Sequence, residues 1–314
     1  MGLNLNQITC LYNDGKDCDL HWHWQYDFGN CFQFNVGLNG TNNHIDKKMA
    51  TIAGIDFGLN IKISNFTNYE ISKIGGYPGL GMKVYIHNRT LLPRWYEEGV
   101  YAKPGEITMI GVKRTFVTNF PSPYTQCNDL TSYSSFLYDF IIKSNKTYRQ
   151  KDCIDLCIQQ RIINICGCFF TLFDNLKSST RPCLNITDFA CFSREYYNVD
   201  TVKCASEYCP LECDSIQYDL TVSSAIYPNL DDFNSLNISS SISYEVWRTQ
   251  ALNINVYYSQ LEYTHIQETP AMNIAGLISN LGGSMSLIIS LSFFTLLEIC
   301  ELFVLVMQIL IKIK

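Results

Sequence analysis

The chain has 314 residues, 47% of them hydrophobic and 17% charged, so it can bury the core of one large domain or two, and intrinsic disorder is excluded. A formal net charge of −6 argues against a nucleic-acid-binding surface and mildly favours attraction of cations. Fourteen cysteines, thirteen of them ahead of Cys300, read as an oxidised, extracellular disulfide framework.

In chain order, the first third alternates in the manner of strands. CFQFNVG, MKVYIHN and ITMIGVKRTFV carry β-branched or aromatic residues bounded by Gly, Pro and Asn. From Ser134 to Ile165 the apolar residues fall at helical spacing (Phe136, Phe140, Ile141, then Ile154, Leu156, Ile158, Ile162), which predicts two helices flanking Asn145. Cys153 and Cys157, four apart, share one face of the second. From Cys183 to Cys213 the chain reads as cysteine-rich loop. A second β region follows, and INVYYSQLEYTHIQ reads as a long strand leading to the C-terminal segment. No repeat, low-complexity run or polyproline linker divides the sequence. The prediction is an α+β class: one extracellular cysteine-rich domain over residues 1–270, then a membrane segment over 271–314.

Ala271 to Leu297 contains no charged side chain, and about 20 apolar residues suffice to span a hydrocarbon core as a helix. Ser279, Gly283, Ser286 and Ser290 recur at steps of four, three and four, one face of a helix; Glu301 returns to that face and Glu298 lies near its edge. A stripe of small residues alone is more often a packing seam. Two carboxylates at bilayer depth are costly unless they face a cavity, and symmetry-related copies would form acidic rings that attract cations.

The cluster Cys153, Cys157, Cys166, Cys168 lacks the paired CxxC knuckles and neighbouring His of a zinc site, and His21 and His23 have no carboxylate spaced beside them, so no metal and no cofactor is expected. Six glycosylation acceptor sequences, at Asn39, Asn65, Asn88, Asn145, Asn185 and Asn237, agree with a secreted face. Lys312 and Lys314 follow the apolar segment, and no Lys or Arg lies between Arg248 and Lys312. The positive-inside rule therefore puts the C-terminus in the cytoplasm and the cysteines outside. MGLNLNQITCLYNDGKDC has neither a signal-peptide core nor a spanning segment, so the chain reads as N-terminally truncated, with a first membrane helix of about 20 apolar residues and one more cysteine expected upstream. No Gly-rich phosphate loop, HExxH or GxSxG pattern is present, and an enzyme is not expected.

The motifs together resemble the degenerin and epithelial sodium channel superfamily, which includes acid-sensing and peptide-gated channels. FGNCFQFN resembles the family's GxCYTFN stretch. KPGEITMIGVKRTFVTNFPSPYTQC resembles its palm strand and PSPYxxC turn. CIDLCIQQRIINICGC and CPLEC resemble the outward and return limbs of its thumb. LEYTHIQETPAMNIAGLISNLGGSMSLIISLSFFTLLEICEL resembles the last palm strand and second transmembrane helix. The motifs run in family order over almost the whole chain.

This resemblance implies a β-sheet palm and β-ball with a helical thumb, and disulfides joining Cys10 to Cys18, Cys127 to Cys213, Cys153 to Cys209, Cys157 to Cys204, Cys166 to Cys191 and Cys168 to Cys183. Cys31 is left unpaired, because its family partner lies nearer the first membrane helix. It implies a selectivity filter at Ser290, Leu291 and Ser292, a gate at Ser279 beside Asn280, a blocker position at Ser286, pore carboxylates at Glu298 and Glu301, and a coupling aromatic at Tyr124. The implied protein is a subunit of an amiloride-sensitive-type sodium channel of the plasma membrane, multi-pass when complete. It would be gated through its extracellular domain and assembled as a homo- or hetero-trimer in the lipid bilayer, with Na+ as the permeant ion. Its ligand would be an extracellular peptide or protons, and PRWYEE before Gly99 gives no acid-sensing motif that favours protons. The competing readings are a single-pass, disulfide-rich receptor or adhesion ectodomain with a C-terminal anchor, and a truncated, non-conducting subunit.

Overall fold

A computed structural model describes residues 8–13, 15–25, 29–36, 47–64, 81–91, 98–128, 133–235, 243–289 and 293–313. The chain divides into two compact units, Met1–Gln267 and Glu268–Lys314. The first opens with β1 (Ile8–Tyr12), β2 (Lys16–Asp17), β3 (Leu20–Gln25) and β4 (Gly29–Phe34), followed by β5 (Leu59–Ile63), β6 (Met82–Val84), β7 (Val100–Ala102), β8 (Glu106–Thr118) and β9 (Cys127–Asn128). A helical excursion comes next: α1 (Phe136–Lys143), α2 (Gln150–Cys166), β10 (Cys168–Phe169), β11 (Arg181–Pro182), α3 (Ile186–Tyr197) and α4 (Thr201–Glu207). The chain returns through β12 (Leu211–Glu212), β13 (Asp214–Ile226), α5 (Leu230–Ser235), α6 (Tyr244–Arg248) and β14 (Leu252–Gln267).

The organising element is a six-stranded sheet in the order β13, β8, β14, β5, β1, β2. Strands β8 and β14 run parallel at its centre, and the other neighbours are antiparallel. Period-two patterning explains the sheet: Leu252, Ile254 and Val256 of β14 share a face with Ile110 and Val112 of β8 and with Ile63, while Asn253 and Asn255 point the other way. The β6/β7 hairpin packs Met82, Val84, Val100 and Ala102 on that apolar face. Ile110, Leu252 and Ile254 are wholly inaccessible, and each such side chain contributes on the order of 1.5–3 kcal/mol of burial. The ladder between β8 and β14 is interrupted once: Tyr258 and Tyr263 face Val112 and Arg114, so four residues of one strand stand against one of the other.

In the helical excursion the two helices predicted around Asn145 are α1 and α2. Their apolar faces meet at Leu137, Ile141, Tyr148 and Leu156, whereas Phe136, which helical spacing assigned to the same face, is 60% exposed. A second cluster joins α2 to α3 through Ile158, Ile162, Phe170, Leu172 and Phe192, with the Phe170 and Phe192 rings stacked at 3.9 Å. Gly167, at φ 66°, ends α2 in the left-handed conformation and donates to the Ile163 carbonyl. The segment Cys183–Cys213, expected as loop, instead contains α3 and α4. Each has a side-chain cap: Asn185 Oδ1 accepts from the Asp188 amide at 2.7 Å, and Asp200 Oδ1 from the Lys203 amide at 2.9 Å.

Close backbone approach fixes the glycine just ahead of β5. A Cβ on Gly58 would lie 2.5 Å from the Val256 carbonyl oxygen and 2.7 Å from Tyr257 Cβ, atoms of a central strand that cannot step aside. Gly58→Ala is therefore expected to destabilise the chain by roughly 1–3 kcal/mol, read as a lower thermal unfolding midpoint in detergent.

Candidate functional site

The second unit consists of α7 (Ile274–Ile289) and α8 (Phe293–Ile313). Asn273 starts α7, its Oδ1 accepting from the Gly276 amide at 2.7 Å. Gly276, Ser279, Gly283 and Ser286 then follow at helical spacing, all within α7. Side-chain carbons built on Gly282 and Gly283 would meet nothing within 4 Å, so this surface has no steric cover of its own. Asn280, beside Ser279, donates to Met272 Sδ at 3.7 Å. Phe294–Lys312 of α8 is long and apolar enough to cross a membrane, with mean hydropathy 2.2 and none of it buried. Glu298 and Glu301 lie three apart on α8, hence on one side of it, and both are exposed. Ser290, Leu291 and Ser292 fall between the two helices and outside the described residues. Ser279 and Ser286 belong to α7, and Glu298 and Glu301 to α8.

Six disulfides brace the first unit: Cys10–Cys18, Cys127–Cys213, Cys153–Cys209, Cys157–Cys204, Cys166–Cys191 and Cys168–Cys183. Cys10–Cys18 closes the β1/β2 turn, and Cys127–Cys213 joins β9 to the residue between β12 and β13 at the base of the helical excursion. The remaining four tie α2 to the Cys204–Cys209 return, the end of α2 to α3, and β10 to β11. Among the described cysteines Cys31 and Cys300 are unpaired, and burial pushes the Cys31 thiol up to about 11. Tyr124 is 55% exposed in the turn Pro121–Tyr124 and packs edge-on against Phe120 at 5.4 Å. Among the described residues no group of three His, Cys, Asp or Glu side chains could hold a metal ion.

Of the glycosylation candidates, Asn39, Asn65 and Asn237 lie outside the described residues. Asn145 is exposed in the left-handed conformation, at φ 56°. Asn185 is exposed and serves also as the cap of α3. Asn88 is half-buried, its Oδ1 accepting from Thr90.

Several carboxylates of the helical excursion are matched with cations. Arg181 grips Asp188 at 2.5 and 2.7 Å, and this pairing holds the Asp188 carboxyl down, to about 2. Arg194 and Arg161 converge on Glu195 at 3.0 and 2.9 Å and likewise lower it. Lys146 meets Asp174 at 2.6 Å, and Arg149 bridges Asp152 and Glu98. Burial lowers the imidazole of His87, near Glu98 and Arg149. The long-range pairings, such as Glu98 with Arg149, 51 residues apart, have no signature in the sequence.

A family model described as amiloride-sensitive sodium channel matches residues 4–302, so the chain belongs to that family, one of channels rather than enzymes. It is 28% identical to degenerin deg-1 of Caenorhabditis elegans over 94% of this chain and 38% of that protein. It is 25% identical to the epithelial sodium channel gamma subunit of Neoceratodus forsteri, over 94% of this chain and 45% of the relative. With the beta subunit of Bos taurus the figures are 27%, 88% and 43%. The chain thus spans less than half the length of these relatives.

Two outcomes follow from the braced excursion. Cys166→Ser combined with Cys191→Ser is expected to cost about 2–4 kcal/mol, measured as a lowered denaturant midpoint. Because the folded-state value of Asp188 is depressed, its contribution is complete above the unfolded value near 3.9 and is lost as pH falls through about 2. Asp188→Asn should therefore flatten the fall in unfolding temperature between about pH 4 and 2 relative to the wild type.

Proposed function

We propose that the chain is the extracellular and second membrane-spanning portion of a sodium-conducting channel subunit, assembled as a trimer with copies of itself or with related subunits. The observation that carries the reading is the composition of the C-terminal unit: small residues at helical spacing on α7, then two carboxylates on the apolar α8, in a chain of the amiloride-sensitive sodium channel family. Small side chains let helices approach around a narrow path, and carboxylate rings concentrate cations at its end. Ser290, Leu291 and Ser292 act as the filter, where small residues and backbone oxygens replace ion hydration, and Na+ is the permeant ion. Ser279 with Asn280 forms the gate, Ser286 the site of amiloride block, and Tyr124 the coupling aromatic. The cysteine-rich unit faces the extracellular side of the plasma membrane and the C-terminus the cytoplasm. No cofactor takes part.

The stimulus acts on the cysteine-rich unit and favours one of two arrangements of thumb and palm. The Asp188 and Glu195 carboxyls are lowered by their arginines, and those of Asp19 and Glu106 by lysines. That favours a peptide or other ligand over titration of these groups.

The complete subunit, expressed in oocytes, is expected to carry an inward current whose reversal potential follows external Na+ and which amiloride blocks. Ser286→Trp should weaken block, Ser279→Trp should raise steady-state opening, and Glu298→Gln with Glu301→Gln should reduce single-channel sodium conductance about twofold. An anion-selective current, or none under peptides, protons or stretch, would refute the assignment.

A further inference from the structure

A cleft of about 330 Å3 lies within the first unit where four stretches meet: the loop Asn88–Leu91, the C-terminal end of β8, the start of β13 and the root of α2. Leu91, Phe116, Val117 and Ile216 give it apolar walls, and the polar lining includes Glu212, Asp214 and Arg149. The charges are unequal in their commitments. Arg149 is fully engaged, its guanidinium bonded to Asp152 at 2.8 Å and to Glu98 at 2.9 Å. Glu212 accepts only a backbone amide, that of Gln150 at 2.7 Å, and among the described residues neither Glu212 nor Asp214 has a cationic partner. Two carboxylates thus hold the guanidinium, and two more, without a cationic partner among the described residues, lie in the wall of the apolar recess. The segments are pinned around the recess, with the Thr147 amide donating to the Thr90 carbonyl at 2.8 Å and the two threonine hydroxyls 2.5 Å apart.

A preformed recess of this size, apolar inside and with uncompensated negative charge, suits an amphipathic cation. We propose that the cleft binds a small organic cation, an aryl or alkyl amine of about ten heavy atoms, its apolar body against Phe116 and Ile216 and its ammonium toward Glu212 and Asp214. An anion would meet the two carboxylates, and a neutral molecule would leave them unmatched. This inference does not rest on conduction, and its readout is binding to the chain itself, so its failure and that of the channel reading are separate.

The test is equilibrium binding of benzylamine to the full chain in detergent by ligand-observed NMR, with benzyl alcohol and benzoate as neutral and anionic probes of the same size. Benzylamine is expected to bind about tenfold more tightly than benzyl alcohol, with no binding of benzoate. Glu212→Gln with Asp214→Asn, which keeps an acceptor for the Gln150 amide, should remove that preference. Leu91→Trp, which fills the recess and keeps both carboxylates, should abolish binding of both probes. Should the double variant fail to fold, Asp214→Asn alone, at an exposed position, repeats the charge test with a smaller loss. Absence of benzylamine binding, equal affinity for benzylamine and benzyl alcohol, preference for benzoate, or affinity unchanged in these variants would overturn the proposal.

Discussion

The antiparallel pairing of β8 with β13 sets the terms for everything above and below it. Thirteen consecutive residue pairs, from Glu106 opposite Ile226 to Thr118 opposite Asp214, lock the two strands in register. The whole helical excursion is inserted at the open end of that hairpin. Its neck is narrow: the Cys127–Cys213 bridge holds Cα atoms 5.0 Å apart, β9 pairs with β12, and the Asn119 amide donates to the Cys213 carbonyl. A structure attached through so small a base moves as one body only if it is stiff inside. Four further disulfides and two aromatic and aliphatic clusters supply that stiffness, so the base rather than the body is where deformation concentrates.

Much of this could be read from residues alone where the signal is local. Alternation in β8 and β14, the paired helices around Asn145 and the uncharged run from Ala271 to Leu297 are periodic signals that need no tertiary knowledge. The helices α3 and α4 were hidden by a high density of cysteines and polar residues, although Asn185 and Asp200 are both good cap residues and mark their starts. Phe136 shows the opposite failure. Helical spacing alone cannot tell which of two adjacent apolar residues turns inward, and Leu137 takes the buried place. Motif resemblance, not spacing, supplied the pairing of twelve cysteines and the roles assigned to the membrane segment. The Arg149 cluster and the adjoining recess had no sequence signature at all, because tertiary contact assembles them from four separate stretches.

Electrostatics divide the first unit in two. Within the helical excursion Asp174, Asp188 and Glu195 each have a guanidinium or ammonium, and the Arg161–Glu195 pair ties α2 to α3. At the root of α2 the balance changes. The first amide of that helix finds its acceptor in Glu212, a side chain from the returning strand, so the helix end is satisfied by tertiary contact instead of by a local cap. The orientation of α2 is therefore coupled to the position of β12.

The break in the β8–β14 ladder bears on how motion travels along the last strand. Above it, Asn253–Val256 is paired on both sides, with β5 and with β8; below it, Tyr263–Gln267 is paired with β8 over Arg114–Thr118. Four residues between them lack that ladder, opposite Lys113, and Ser259 Oγ sits where a side chain on Gly111, the partner of Tyr257, would have to go. Mechanically this is two stiff rods in series with a short spring. A displacement imposed on either rod is absorbed first in Ser259–Glu262, so a small shift of the lower strand need not disturb the apolar core, and amide hydrogens in the spring should exchange with solvent well before those of the rods.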